Sequence, residues 1–283
     1  MKYPALLLFS LLALSGVARA EGRILSLDYC ADQYVLALAD RNDILALSPA
    51  ANSEYAYLSA QAAGLPRMRP TGEQILLSHP SLVVRQWGGG YDAPAHLARF
   101  GVPVVEVADG GDFATMRRNL RAVGQALGVP AAAEAMIAGF DARLQAIEAR
   151  RLAPARQPRA LYLTRGGATA GAGTFVDRLL RAAGVRNMAA QGGARGWREI
   201  DLEAIALDPP DMIVAAFFDL KGAEVYYWSA GRHGFLEALM SRLPTVHVPS
   251  AQVACAGWFS LDAVEAIQAT AKAIARPVMA NRR

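Results

Sequence analysis

Short apolar runs alternate with stretches of helical periodicity along most of the chain. Arg23-Ile24-Leu25-Ser26-Leu27 has the character of a β-strand, residues 32–39 place apolar side chains at helical spacing, and Asp43-Ile44-Leu45-Ala46-Leu47 is a second strand candidate. Further on, Leu82-Val83-Val84 leads into Arg85-Gln86-Trp87-Gly88-Gly89-Gly90, a helical stretch covers 93–100, and Val102-Pro103-Val104-Val105-Glu106-Val107 follows. Strands alternating with helices predict parallel pairing, and in open parallel sheets the ligand crevice lies beyond the carboxyl ends of the strands. Tyr29, Trp87, Tyr91 and Asp109 fall on that side.

From Phe113 the periodicity is helical, breaks at Gly128-Val129-Pro130 and resumes over 131–151. At 1.5 Å rise per residue this second piece spans roughly 30 Å, the width of a small domain. Leu152-Ala153-Pro154-Ala155-Arg156-Gln157-Pro158 reads as a linker, and Arg159-Ala160-Leu161-Tyr162-Leu163 opens a second alternating set. The halves echo one another: 73–84 and 203–214 share Glu at the start, Ile at the third position, Leu at the fifth, Pro at the eighth and a β-branched pair at the end. A weaker echo relates Asp32, Arg41 and Asn42 to Asp177, Arg186 and Asn187. One long offset of this kind indicates duplication of a domain rather than a solenoid. The expected organisation is an α/β chain with a removable segment at 1–20, a first lobe at 21–112, connecting helices and linker at 113–157, and a second lobe at 158–283.

The removable segment follows from the N-terminal pattern. Met1-Lys2 precedes an apolar run over 5–17, and Ala18-Arg19-Ala20 stands before Glu21, the layout of a secretory signal peptide cleaved near Ala20. The run is too short to span a bilayer, which predicts export rather than anchoring. The 283 residues are 53% hydrophobic and 19% charged, which excludes intrinsic disorder, and two Cys cannot form a dense disulfide scaffold. Without Lys2 and Arg19 the chain carries 27 basic against 25 acidic residues, a net charge of +2 that argues against a nucleic-acid partner. In an oxidising compartment Cys30 and Cys255 are disulfide candidates.

Candidate chemistry is sparse. His79, His96, His233 and His247 lack the spacing of metal ligands, so no direct metal site is expected. The glycines from Gly166 to Gly173 lie between a strand and a helix but lack G-x-G-x-x-G register and a following G-K-[ST], a poor phosphate cradle. Glu73 and Glu203 each sit two residues after a plausible N-cap, Thr71 and Asp201. The helix dipole alone accounts for acids there, while a matched acidic pair on two lobes also suits docking to arginine pockets of a two-fold partner.

Taken in order, Arg23 to Leu27, the 73–84 block running into Trp87-Gly88-Gly89, the long central helix, Thr169-Ala170-Gly171-Ala172-Gly173-Thr174-Phe175 and the 203–214 block resemble the periplasmic substrate-binding proteins of ABC importers for iron-siderophores, haem and cobalamin. The resemblance covers essentially the whole chain after residue 20. It implies two Rossmann-like lobes with central parallel sheets joined by a single long backbone helix, and a small lobe closure. It also implies a periplasmic location, a monomeric state, a transported metal chelate rather than a bound cofactor, no catalysis, and acids docking on the permease transmembrane subunits. Those acids map onto Glu73 and Glu203.

The cleft of such a protein would take Tyr29, Arg85, Trp87 and Tyr91 from the first lobe and Arg165, Trp197, Phe218, Tyr227 and Trp258 from the second. Aromatic walls supply rigid apolar area, and the two arginines could pair with anionic groups of a chelate. A Cys30–Cys255 bond would tie the lobes together, with thiolate metal ligation or free thiols as the alternatives. Two other functions compete. One is an exported α/β enzyme using Cys30 or Asp28 with Arg165, and the other is a receptor for a free metal ion.

Overall fold

The computed structural model describes residues 22–220 and 233–275; the N-terminal segment at 1–20 and Tyr227 lie outside the described residues. The first sheet consists of β1 (Ile24–Ser26), β2 (Ile44–Ala46), β3 (Leu82–Arg85) and β4 (Val104–Glu106), in the order β2-β1-β3-β4. Every neighbouring pair in it is parallel. The second sheet holds β5 (Arg159–Thr164), β7 (Arg186–Asn187), β9 (Met212–Ala216) and β10 (Thr245–Val248), again all parallel, in the order β10-β9-β5-β7. Counted within its own lobe, the second sheet therefore has the same second-first-third-fourth order as the first. Duplication, visible in the sequence as two similar blocks, extends to the topology.

The central strands of both sheets, β1, β3, β5 and β9, are buried on both faces, which is why they read as near-continuous apolar runs. In β5 and β9, Leu161, Leu163, Ile213 and Ala215 pack into one core cluster, while Ala160, Tyr162, Val214 and Ala216 pack into another. The helices of the first lobe are α1 (Tyr29–Leu38), α2 (Gly72–Leu77) and α3 (Ala93–Ala98). α1 begins three residues before the expected start because Asp28 caps it, its Oδ1 accepting from the Ala31 amide at 2.9 Å.

α4 (Phe113–Ala126) and α5 (Pro130–Ala149) form the connection between the lobes. The break at 128–130 is the helix-stop and restart foreseen, with Pro130 in the first turn of α5. α5 is 20 residues long and buries Ala133, Ile137, Phe140, Leu144 and Ile147, a stripe with spacings of three and four. Arg121 and Glu134 join α4 to α5 through two hydrogen bonds of 2.6 and 3.1 Å.

The second lobe adds α6 (Phe175–Ala183), α7 (Leu202–Leu207), α8 (Gly234–Arg242), α9 (Ser250–Val253) and α10 (Leu261–Ala275). The glycine-rich stretch between β5 and α6 contains a strand, β6 (Ala168–Ala170), paired antiparallel with β8 (Trp197–Glu199). Ala168-Thr169-Ala170 alternates in a way that suits pairing, so this segment is a small ribbon leading to a short turn at Gly171 to Thr174.

Several bonds tie the lobes together at the α10 end. Cys30 and Cys255 are disulfide-bonded, with Cα atoms 5.6 Å apart and 225 residues between them in the chain. The Tyr57 hydroxyl of the first lobe donates to Asp262 Oδ2 of α10 at 2.6 Å, and Arg143 of α5 donates to Asp262 Oδ1 at 2.6 Å and to Glu265 at 2.7 Å. One contiguous apolar cluster runs from Ile24 of β1 to Ala271 of α10.

Candidate functional site

In each sheet the first and third strands of the lobe are neighbours, so the chain leaves them toward opposite sides and opens a crevice beyond their carboxyl ends. Tyr29 opens α1 just after β1 and Trp87 lies in the loop after β3, and their rings meet edge-on with centroids 5.5 Å apart at 70°. Tyr29 also stacks on Tyr55 at 5.4 Å, and Tyr55 lies 6.4 Å from Phe217, which follows β9 in the second lobe. Tyr29, Trp87, Tyr55 and Phe217 thus form an aromatic group with members from both lobes. Burial, the neighbouring Tyr55 and the Asp28 carboxylate raise the Tyr29 pKa, so its phenol stays neutral at physiological pH.

The loop bearing Trp87 is held from two sides. Oδ2 of Asp28 accepts the amides of Gln86, Trp87 and Gly88 at 2.7, 3.0 and 2.9 Å. Arg85, itself buried, donates from Nε to the Gly88 carbonyl at 2.8 Å, from Nη2 to the Gly90 carbonyl at 3.0 Å and from Nη1 to Glu106 at 3.0 Å. The loop passes so close to β1 that a Cβ on Gly88 would stand 2.3 Å from the Leu27 carbonyl oxygen. Trp87 is left 53% exposed, and Tyr91 at the end of the loop is 96% exposed.

In the second lobe, consecutive phenylalanines part ways. Phe217 has φ 65°, a left-handed conformation that a bulky side chain rarely adopts, and its ring turns toward Tyr55. Phe218 packs instead with the cluster of Leu161 and Leu163, edge-on to His247 at 6.2 Å. Arg165 follows β5, half-buried, and donates from Nη1 to the Leu220 carbonyl at 2.8 Å.

Trp197, 56% exposed, rests edge-on against Tyr162. It lines a cavity of about 340 Å³ between the lobes with Asp109, Gly111, Gly173 and Phe175. The lobes also approach one another closely here, since a Cβ on Gly111 would lie 2.7 Å from the Gly173 carbonyl oxygen.

The remaining residues singled out in the sequence lie elsewhere. Trp258 packs beside the disulfide, edge-on to Tyr34 at 5.3 Å and to Phe259 at 5.3 Å. Glu73 and Glu203 are both exposed in the first turns of α2 and α7, capped by Thr71 and Asp201. One turn on, Leu77 and Leu207 are 69% and 88% exposed, a second pair related by the repeat. Tyr55 and Phe217 were not anticipated. Among the described residues no three His, Cys, Asp or Glu side chains gather as a metal site, and no helix is long and apolar enough to cross a membrane.

Comparison with known proteins agrees with this architecture. A periplasmic heme-binding protein from Roseiflexus sp. RS-1 in apo form superposes with a TM-score of 0.71 at 23% identity, covering 90% of this chain and 99% of that one. A periplasmic heme-binding protein from Pseudomonas aeruginosa gives 0.67 at 24% identity, covering 91% of this chain and 95% of that one. The periplasmic vitamin B12 binding protein of Vibrio cholerae gives 0.67 at 19% identity, covering 90% and 98%. No curated protein matches. Residues 24–252, spanning both parallel sheets and the helix between them, match the periplasmic binding protein family, and the chain belongs to it.

Proposed function

We propose that the chain is the exported substrate-binding component of an ABC importer, with 1–20 as its signal peptide, and that it carries a metal chelate of the cobalamin, ferric siderophore or haem class. The observation that carries this reading is the aromatic group of Tyr29, Tyr55, Trp87 and Phe217, assembled from both lobes at the strand ends. Rigid rings at such a crevice offer apolar area to a large planar or macrocyclic ligand at little entropic cost. Structural relatives bear names that include heme and vitamin B12 binding, which supports the ligand class. Arg165 and Trp197 line the second-lobe side, and Tyr91 stands free at the rim. Glu73 and Glu203, with the exposed Leu77 and Leu207 one turn away, supply the docking points for the permease subunits.

The test is titration of the purified protein with hemin, cyanocobalamin and ferrichrome, read by tryptophan quenching and ligand absorption. One of the three should bind at one equivalent, and a folded protein that binds none defeats the reading. Charge reversal of Glu73 and Glu203 together should leave that affinity unchanged while uptake by cells falls; unchanged uptake removes the docking assignment.

A further inference from the structure

The geometry points to Asp28 and Arg85 as a two-sided clamp that positions Trp87 against Tyr29, so that the wall of the cleft is held by buried charges that do not themselves touch ligand. Its bearing on binding rests on the function proposed above. Asp28 is 1% exposed and each of its oxygens is committed: Oδ1 caps α1, the helix that begins with Tyr29, and Oδ2 gathers three successive amides of the Trp87 loop. A single carboxylate thus anchors both rings of the edge-on pair. Arg85 is 4% exposed and grips the same loop by its carbonyls, those of Gly88 and Gly90. Amide donors are held on one side and carbonyl acceptors on the other.

This arrangement gives the buried groups a reason to be charged. A carboxylate accepts at both oxygens, so it can serve the Ala31 amide and the loop amides at once, where a neutral amide would turn a donor NH2 toward one of them, and hydrogen bonds to an ionised group are roughly twice as strong as neutral ones. The glycines of the loop have no side chains to hold it by packing, so the clamp fixes it instead. It also gives Arg85, a candidate for pairing with an anionic ligand, a different role, since Nε, Nη1 and Nη2 all have partners within the lobe.

The experiment uses the full mature chain and three variants: Asp28→Asn, Arg85→Lys and, as a control on the half-exposed partner, Glu106→Gln. Amide hydrogen exchange is followed for 86–90 and, as internal reference, for Val83 and Val84 of β3. In Asp28→Asn, exchange at 86–88 should rise about tenfold or more relative to β3, and Trp87 should become more accessible to acrylamide. Arg85→Lys should loosen the loop in the same way, while Glu106→Gln leaves it near the wild type. If a wild-type chelate has been found among hemin, cyanocobalamin and ferrichrome, its affinity should fall about tenfold in the first two variants and stay unchanged in the third. Exchange at 86–88 equal to wild type in Asp28→Asn, or a uniform rise across β3 and the loop alike, overturns the clamp. Should Asp28→Asn fail to fold, Arg85→Lys decides by the same readout. Failure of all three probes to bind wild type would count against the proposed ligand class, while the exchange data would still judge the clamp.

Discussion

Asp32 is fully buried in the first turn of α1, where it accepts the Ser48 amide at 3.1 Å and the Ser48 hydroxyl at 2.6 Å. Burial outweighs these bonds and raises its pKa from 3.8 to about 6. Because the folded pKa lies above the unfolded one, the folded state binds the proton more tightly, and the stability this contributes is full below the unfolded pKa and is lost as pH rises through about 6. The wild type should therefore lose on the order of 3 kcal/mol relative to Asp32→Asn between about pH 4 and 7.5, measured by urea unfolding of both at each pH. A constant difference between the two proteins across that range would contradict the assignment. The repeat places Asp177 at the matching point of α6, where it is likewise buried and accepts from Asn187 at 3.0 Å. The aspartates of the weak sequence echo thus play similar parts through different partners: Asp32 holds Ser48 just after β2, and Asp177 holds Asn187 at the end of β7, while Asn42, the echo of Asn187, donates its amide to Asp40. Tyr55 and Phe217 were not legible. Tyr55 lies in a stretch without periodicity and meets Tyr29 only through tertiary packing, and nothing in a Phe-Phe pair shows which member takes positive φ and faces the cleft.

The elements were more readable than the residues. α5 has a Pro at its start, a stripe of buried side chains and a clear linker after it, each a local signal of long range. The β6–β8 ribbon was hidden because its pairing joins segments on either side of α6 and β7, and glycine-rich sequence carries no register of its own. Through Asp262, α10 is fastened both to the first lobe, by Tyr57, and to the connecting helix α5, by Arg143. The hydrogen bond to Asp262, with burial next, pushes the Tyr57 pKa up to about 12. Replacing Asp262 by Ala should bring this phenol back toward 10 in a spectrophotometric titration, and should lower Tm by roughly 2 to 4 °C. A tyrosine titration indistinguishable from wild type would show that the bond does not persist in solution.

At the scale of the molecule, the two-lobed plan was visible in the repeat offset and the single helical interruption, while the depth of the join between lobes was not. Contacts such as Tyr34 with Trp258, or Ile24 and Ala271 in one apolar cluster, link the two ends of the described chain and leave no trace in local pattern. The disulfide is the covalent part of that join, and it alone was expected from the sequence, where Cys30 and Cys255 were the candidate pair. Breaking it in a Cys30→Ala, Cys255→Ala double variant should cost roughly 2–5 kcal/mol in denaturant unfolding, since the bond closes a loop of more than two hundred residues. Stability equal to wild type would show that the noncovalent contacts alone hold the lobes together. The same bond also sets an order of events during biosynthesis. Helix α1 can form as soon as its own residues are free, yet Cys30 has no partner until residue 255 has arrived, and β1 shares its core with a helix that is among the last to appear. Contacts so distant in sequence make folding slow, so the first lobe spends the interval with part of its apolar surface uncovered and a thiol still reactive. A newly made chain is therefore most exposed to mispairing and aggregation before α10 arrives, and closing α10 over the first lobe is what ends that period.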